Sequence, residues 1–356
     1  FEEAERYVKQ ALALAGDDPA IRGRCLRARG ISAARQGHHG IARDCFEEAI
    51  DIFESLGDPL ETGIAHQGAG QMYTAFDTTK AGQAFRRAIE CFSSIGREDR
   101  TIISRQTSGF LALRRGNYDE AEPLLRDSLR LCELHGSVTR ALTGRLYLTR
   151  IALDRNRIAD AIAASETIEE ASRAMDEWRL VCMARNLRVR AFLKAGQHHK
   201  ALETARQTLR VPLERVDSWI RGDTELVCLE AEARVAGEWT AEALETLEAL
   251  CSIEGVDADF LLPWSRAWIA ACALEDPEGT RRMFGEVLEK ADRDDSWNPA
   301  GYLLETEVSL AVAAGAREDE ARADRFLRSA RTGATAGGVV AAKAEVLARQ
   351  SRLGAL

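Results

Sequence analysis

A pattern of glycine and alanine that returns about every 40 residues constrains this chain more than anything else in it. The clearest unit runs from Gly109 to Leu129, G-F-L-A-L-R-R-G-N-Y-D-E-A-E-P-L-L-R-D-S-L, with Gly116 at a turn, Tyr118 after it and Ala121 at a close helix crossing. The stretch R-G-I-S-A-A-R-Q-G-H-H-G-I-A-R-D-C-F-E-E-A-I sets Gly30, Gly37, Ala42, Phe46 and Ala49 at the same relative places. From Gly70 to Ala88 the pattern returns as Gly70, Ala81, Phe85 and Ala88, with a turn one residue shorter. The turn position recurs at Asn156, Gly196, Gly237 and Gly315, steps from Gly116 of 40, 40, 41 and 78. Small residues at a crossing let two helix backbones approach, while Phe46, Phe85 and Leu125 fill the space beyond it. One such helix pair cannot bury its apolar face alone, so the units must stack.

Local punctuation agrees with that period. Gly16-Asp17-Asp18-Pro19 and Gly57-Asp58-Pro59 each read as helix stop, N-cap and first-turn proline. The spacing predicts a lone second helix at 1–15, then helix pairs at 20–56, 59–95, 98–135, 138–176, 178–215, 218–253, 257–292 and 298–332, and a closing helix at 339–352. Pro123 is expected near the first turn of its helix or at a kink. Pro263, Pro277 and Pro299 crowd the last two pairs, and Gly333 to Gly338 reads as a break. Seven prolines and 6% aromatics argue against an all-β sandwich.

The units resemble tetratricopeptide repeats, in a long variant similar to those of kinesin light chains, cell-polarity adaptors and the sensor arms of large bacterial ATPase regulators. The resemblance implies an all-α fold, a right-handed α-solenoid of about eight antiparallel helix pairs. It covers 1–253 as regular repeats and 254–356 as degenerate repeats with a capping helix, in one continuous solenoid. It also implies a regulatory or scaffolding protein, bacterial in composition, whose partner is another protein or peptide.

Charge and chemistry narrow the function classes. Fifty-seven acidic against 48 basic residues give a net charge of -9, which disfavours broad attraction to nucleic acid or anionic membrane. The sequence holds no run of 18 apolar residues and no leader precedes the first helix, so a cytoplasmic chain without a membrane partner is expected. The start at Phe1, inside an amphipathic pattern, reads as a piece of something longer. Eight cysteines stand singly, without metal-ligand spacing, and are expected as buried reduced thiols. His38-His39 and His198-His199 fall in turns far apart, which speaks against a metal site. The six tryptophans read mainly as structural fillers, with Trp264 and Trp268 as a pocket border in the alternative. No nucleotide-binding, zincin or nucleophile-elbow motif is present, so neither catalysis nor a cofactor is expected.

The first helix of each pair is expected to line a concave face. The register projects Arg24, Arg27, Arg35, Gln67, Gln71, Gln106, Arg114, Tyr147, Arg150, Asn186, Arg190, Lys194 and Arg234 onto it, with Asp154 and Glu305 as the main inward acids. Two readings stay open at this point. The face is a basic, amide-rich groove suited to carboxylates and peptide backbone, or its arginines pair with acids of neighbouring repeats. The first supports a protein-interaction scaffold for an acidic peptide or protein segment. The alternative function is a ligand-sensing or autoinhibitory arm of a larger bacterial regulator, an ATPase or protease, with another domain of the same parent as partner.

Overall fold

The computed structural model describes residues 18–236 apart from 75, 115, 116 and 156, with scattered positions at 6–13 and 245–249. Among the described residues every regular element is a helix. In chain order they are α1 (Pro19–Arg35), α2 (His39–Ser55), α3 (Pro59–Tyr73), α4 (Thr78–Ser94), α5 (Glu98–Arg114), α6 (Tyr118–Leu134), α7 (Val138–Asp154), α8 (Ile158–Ala174), α9 (Trp178–Lys194), α10 (His198–Thr208), a 3-10 turn at Leu213–Arg215, and α11 (Ser218–Ala236). The odd-numbered first helices begin at Pro19, Pro59, Glu98, Val138, Trp178 and Ser218, steps of 40, 39, 40, 40 and 40. The expected pairs are therefore the observed ones over this span. The helix at 1–15, the second half of the pair at 218–253, the later pairs, and the boundary at 253 lie outside the described residues.

The chain divides into two compact units, one holding residues up to Ala112 with Pro123–Ser137, the other Leu113–Glu122 with everything from Val138 on. In the first unit α1 packs on α2, α2 on α3, α3 on α4, and α1 also touches α3. α5 meets α6 through the Ser128 hydroxyl, which donates to the Ile102 carbonyl at 3.2 Å. In the second unit the same order runs from α7 to α11, and α9 touches both α7 and α11. Consecutive pairs with neighbouring first helices make each described unit an all-α solenoid stack.

Repeated joints turn the chain. The Asp58 amide donates to the Phe53 carbonyl and the Gly57 amide to that of Glu54, both at 3.0 Å, and Gly57 has φ of +62°. This closing motif of a helix needs a left-handed residue, which glycine supplies without steric cost. The same six-residue bond recurs from His38 to Ala33, Arg97 to Phe92, Ser137 to Cys132, Glu177 to Ser172 and Gln197 to Phe192. Asp176 takes the left-handed place at φ +59° without being glycine. Asp58 and Asp18 cap the following helices, accepting from the Glu61 amide at 3.0 Å and the Ala20 amide at 2.8 Å.

Size complementarity sets the distance within each pair. A Cβ built on Gly23 would lie 2.7 Å from the Phe53 ring, one on Gly63 2.7 Å from Phe92, and one on Gly70 2.9 Å from Phe85. Phe46 is hemmed on two sides, by Gly30 of its own pair at 3.2 Å and Gly68 of the next at 2.6 Å. Where a first helix carries a larger residue at the same place, its partner shrinks. The positions of Gly23 and Gly63 become Ile102 and Leu142, and those of Phe53 and Phe92 become Cys132 and Ser172. The fourth residue of every described second helix is alanine, Ala42, Ala81, Ala121, Ala161 and Ala201, all wholly buried.

Three local expectations change. The residue missing from the second repeat comes out of α3, which stops at Tyr73; the turn after it is longer, and Phe76 there packs on His39 and Tyr73. Pro123 is the sixth residue of α6, beyond its first turn and on an exposed face. The fifth second helix ends at Thr208, because Pro212 lacks an N–H and pushes the residue before it out of the helical region.

The two kinds of helical glycine predict opposite effects. Gly68→Ala drives a Cβ into a ring that cannot retreat, and should cost about 1–3 kcal/mol despite its better helix propensity. Gly82→Ala, with nothing within 4 Å of its Cβ, should gain about 0.5–1 kcal/mol. Urea unfolding of both variants checks this; equal shifts of the two midpoints would refute the packing.

Candidate binding face of the first helices

Arg27, Gln67, Gln106 and Asn186 are each the ninth residue of their first helix. Gln71, Arg150 and Arg190 are the thirteenth, and Arg35, Arg114, Lys194 and Arg234 the seventeenth. Steps of four keep such residues on one side of a helix. Arg24 and Tyr147 sit at the sixth and tenth places of α1 and α7.

In the first unit a carboxylate joins α1 to α3. Arg24 Nε donates to Glu61 Oε1 at 2.9 Å, and Arg27 Nη1 donates to Glu61 Oε2. Glu61 is the third residue of α3, a place where an acid also suits the helix dipole. Gln67 Nε2 donates to Ser104 Oγ at 3.3 Å, joining α3 to α5. Gln106 is buried, while Gln71 and Arg35 are exposed. Arg114 closes α5, and its side chain lies outside the described part.

The second unit repeats the device. Asn186 Nδ2 donates to Asp223 Oδ2 at 2.8 Å and Thr224 Oγ1 at 3.1 Å, and Arg190 grips both Asp223 oxygens, tying α9 to α11. Burial works to raise the Asp223 pKa, but Arg190, the Asn186 amide and Arg150 outweigh it and hold the carboxyl below its ordinary range. Arg150 Nε donates to both Asp154 oxygens at 3.0 Å, and the Tyr118 hydroxyl reaches Asp154 at 3.2 Å. Lys194 Nζ bonds the Leu153 carbonyl at 3.4 Å, and Arg234 lies 3.7 Å from Glu230. Burial pushes the half-buried Tyr147 phenol up against the pull of Arg179.

Sequence reasoning missed Glu61 and Asp223, acids that bridge consecutive first helices. They stand 33 to 37 residues from their partners, slightly less than one repeat, and that spacing is the signal that would have found them. It also missed Glu169 of α8, which binds Arg173, Arg185 and Arg188 together. Burial opposes ionisation there, and Arg185 and Arg188 overcome it, so the Glu169 pKa is lowered. Arg185 Nη1 also donates to the Gln207 carbonyl at 3.1 Å, satisfying the early end of α10.

The remaining chemistry is sparse. Cys25, Cys45, Cys132, Cys182 and Cys228 are buried and reduced and Cys91 is half-buried; burial pushes Cys182 and Cys228 up to about 11. Cys251 and Cys272 lie outside the described residues, as do Trp239, Trp264, Trp268, Trp297 and Glu305. His38 occupies the N-cap position of α2, while His39 opens that helix and His198 and His199 open α10 rather than sit in the turn. Among the described residues no group of three His, Cys, Asp or Glu side chains is placed to hold a metal, and no helix is long and apolar enough to cross a membrane.

No family model matches the chain, and no curated protein is significantly similar to it. Among solved structures it is similar to the tetratricopeptide-repeat domain of P58(IPK), at 16% identity over 97% of this chain and 99% of that one, with a TM-score of 0.25. A likeness that low adds no weight to the fold, which rests on the helix pairs themselves.

Because Asp223 titrates lower folded than unfolded, its stabilisation is complete above the unfolded value, about pH 4, and fades as pH falls below it. A double-mutant cycle of Arg190→Gln and Asp223→Asn should show coupling of about 1–3 kcal/mol at pH 7. Repeated through the carboxylate range, the coupling should shrink. A pH-independent value would mean that the pair is not the strut described.

Proposed function

We propose that the chain is a protein-interaction scaffold of the tetratricopeptide type, and that its first-helix face takes a peptide or protein segment carrying acidic residues. The observation that carries this reading is a reversal of sign. The whole chain has a net charge of -9, yet in the first unit Arg24, Arg27 and Arg35 stand on the first helix α1, where Arg24 and Arg27 engage Glu61. Gln67, Gln71 and Gln106 extend the row with amides, which hydrogen-bond peptide backbone in either sense. Guanidinium groups suit carboxylates because their fixed donors match two oxygens at once. The Gln67 to Ser104 bond between α3 and α5 holds one of these amides in place, which lowers the entropy lost when a segment docks. Buried thiols of raised pKa are poor nucleophiles, so the described residues favour binding over catalysis.

The test uses three labelled 12-residue peptides of acidic, neutral and basic sequence in fluorescence anisotropy. The acidic peptide should bind best and weaken with added salt. Reversing two exposed charges together, Arg24→Glu and Arg35→Glu, should reduce its affinity about tenfold while circular dichroism stays unchanged. Equal binding of all three peptides, or of the reversed variant, would take recognition off this face.

A further inference from the structure

The Arg24 and Arg27 guanidinium groups already hold a carboxylate, in the way a ligand's carboxylate would be held. Glu61 presents one oxygen to each arginine. The repeat itself does not demand an acid there, since the third residue of the other first helices is Ile21, Arg100, Arg140, Leu180 or Ile220. Nor does the cap demand it: Asp58 receives the Glu61 backbone amide, and the Asp58 amide is bound to Phe53. The Glu61 side chain is thus turned away from its helix end and toward α1. Arg24 keeps its side chain 56% exposed and Arg27 19%, so the fork is within reach of solvent from the open side. An independent copy of the arrangement stands in the second unit, where Asp223 fills Arg190 and Asn186. There too the acid is particular to its helix, the sixth residues of the other first helices being Arg24, Ile64, Ile103, Thr143 and Met183.

We propose that Glu61 is a built-in competitor, a carboxylate of the chain itself that occupies the Arg24 and Arg27 fork and must swing out before an acidic partner segment enters. The inference rests on the binding reading above and adds its regulation. A partner then meets a fork that is open only part of the time, and its apparent affinity falls by that fraction. It also follows that docking exchanges the α1 to α3 strut for a contact with the partner, so binding and the spacing of these two helices are coupled.

Glu61→Gln removes the competing charge at constant size, and the labelled acidic peptide should bind this variant about fivefold tighter than the wild type. Adding Arg27→Gln to it should abolish the gain. Asp51→Asn, which removes the same charge from an exposed site on α2, should leave affinity unchanged, so a gain there would show a bulk charge effect and overturn the proposal. Glu61→Asp, the gentler change should the amide variant not fold, retracts the carboxylate and should give a smaller gain in the same direction. A second readout does not need the peptide: acetate at constant ionic strength should shift the Arg24 and Arg27 Nε–H resonances in Glu61→Gln and not in the wild type. Peptide binding to the wild type with no gain in Glu61→Gln overturns the competitor and leaves the binding reading standing. Acetate shifts in the variant without peptide binding to either protein support the vacated fork and overturn the peptide reading. Absence of the acetate shifts in Glu61→Gln overturns the competitor directly.

Discussion

The close approach of the two helices within each pair is the constraint on which the rest depends. In the first two repeats a glycine of the first helix receives a phenylalanine ring of the second, at separations that leave no room for a methyl group. A buried phenylalanine contributes roughly 1.5–3 kcal/mol from its removed surface, but only while the opposite backbone stays close enough to cover it. The helix pair is thereby held at one distance. The next first helix then lands where Gly68 can touch Phe46 from the other side. Distance within a pair and distance between pairs are set by the same ring.

The polar face follows from that spacing. Neighbouring first helices lie close enough for Glu61 to reach α1 and for Asp223 to reach α9, so long cationic side chains are pinned instead of waving in solvent. Such pairs are weak evidence for net stability, because a partly buried charge first loses its water. Their better-supported effect is geometric: they fix the side chains that a partner would meet. Glu169 does related work between α8 and α9 and, through Arg185, at the truncated end of α10.

Much of this was legible in the sequence because glycine and alanine at crossings leave a period that single residues reveal. The helix starts at Pro59, Glu98, Val138, Trp178 and Ser218 fall where that period placed them. Ala161 and Ala201 escaped notice because the glycines opposite had become Thr149 and Val189, and the pattern no longer looked glycine-rich. The face was half legible. Its cations recur at the ninth, thirteenth and seventeenth places, whereas Glu61 and Asp223 lie in the first two turns of their helices and reach back to the preceding first helix. Inter-helix reach of that kind depends on the distance between axes, which periodicity does not contain. Pro212 could have warned of the short α10, and the strength of the 40-residue period hid it.

The most direct measurement exchanges one repeat's solution for another's. Gly63→Ile, Phe92→Cys and the double variant install in the second pair the combination that Ile102 and Cys132 use in the third. Complementary packing predicts that each single change is strongly destabilising by urea unfolding. The double variant should recover, with a favourable coupling of at least about 1 kcal/mol. Losses that simply add would contradict it, and would mean that the distance within a pair is set by something other than the fit of these two side chains.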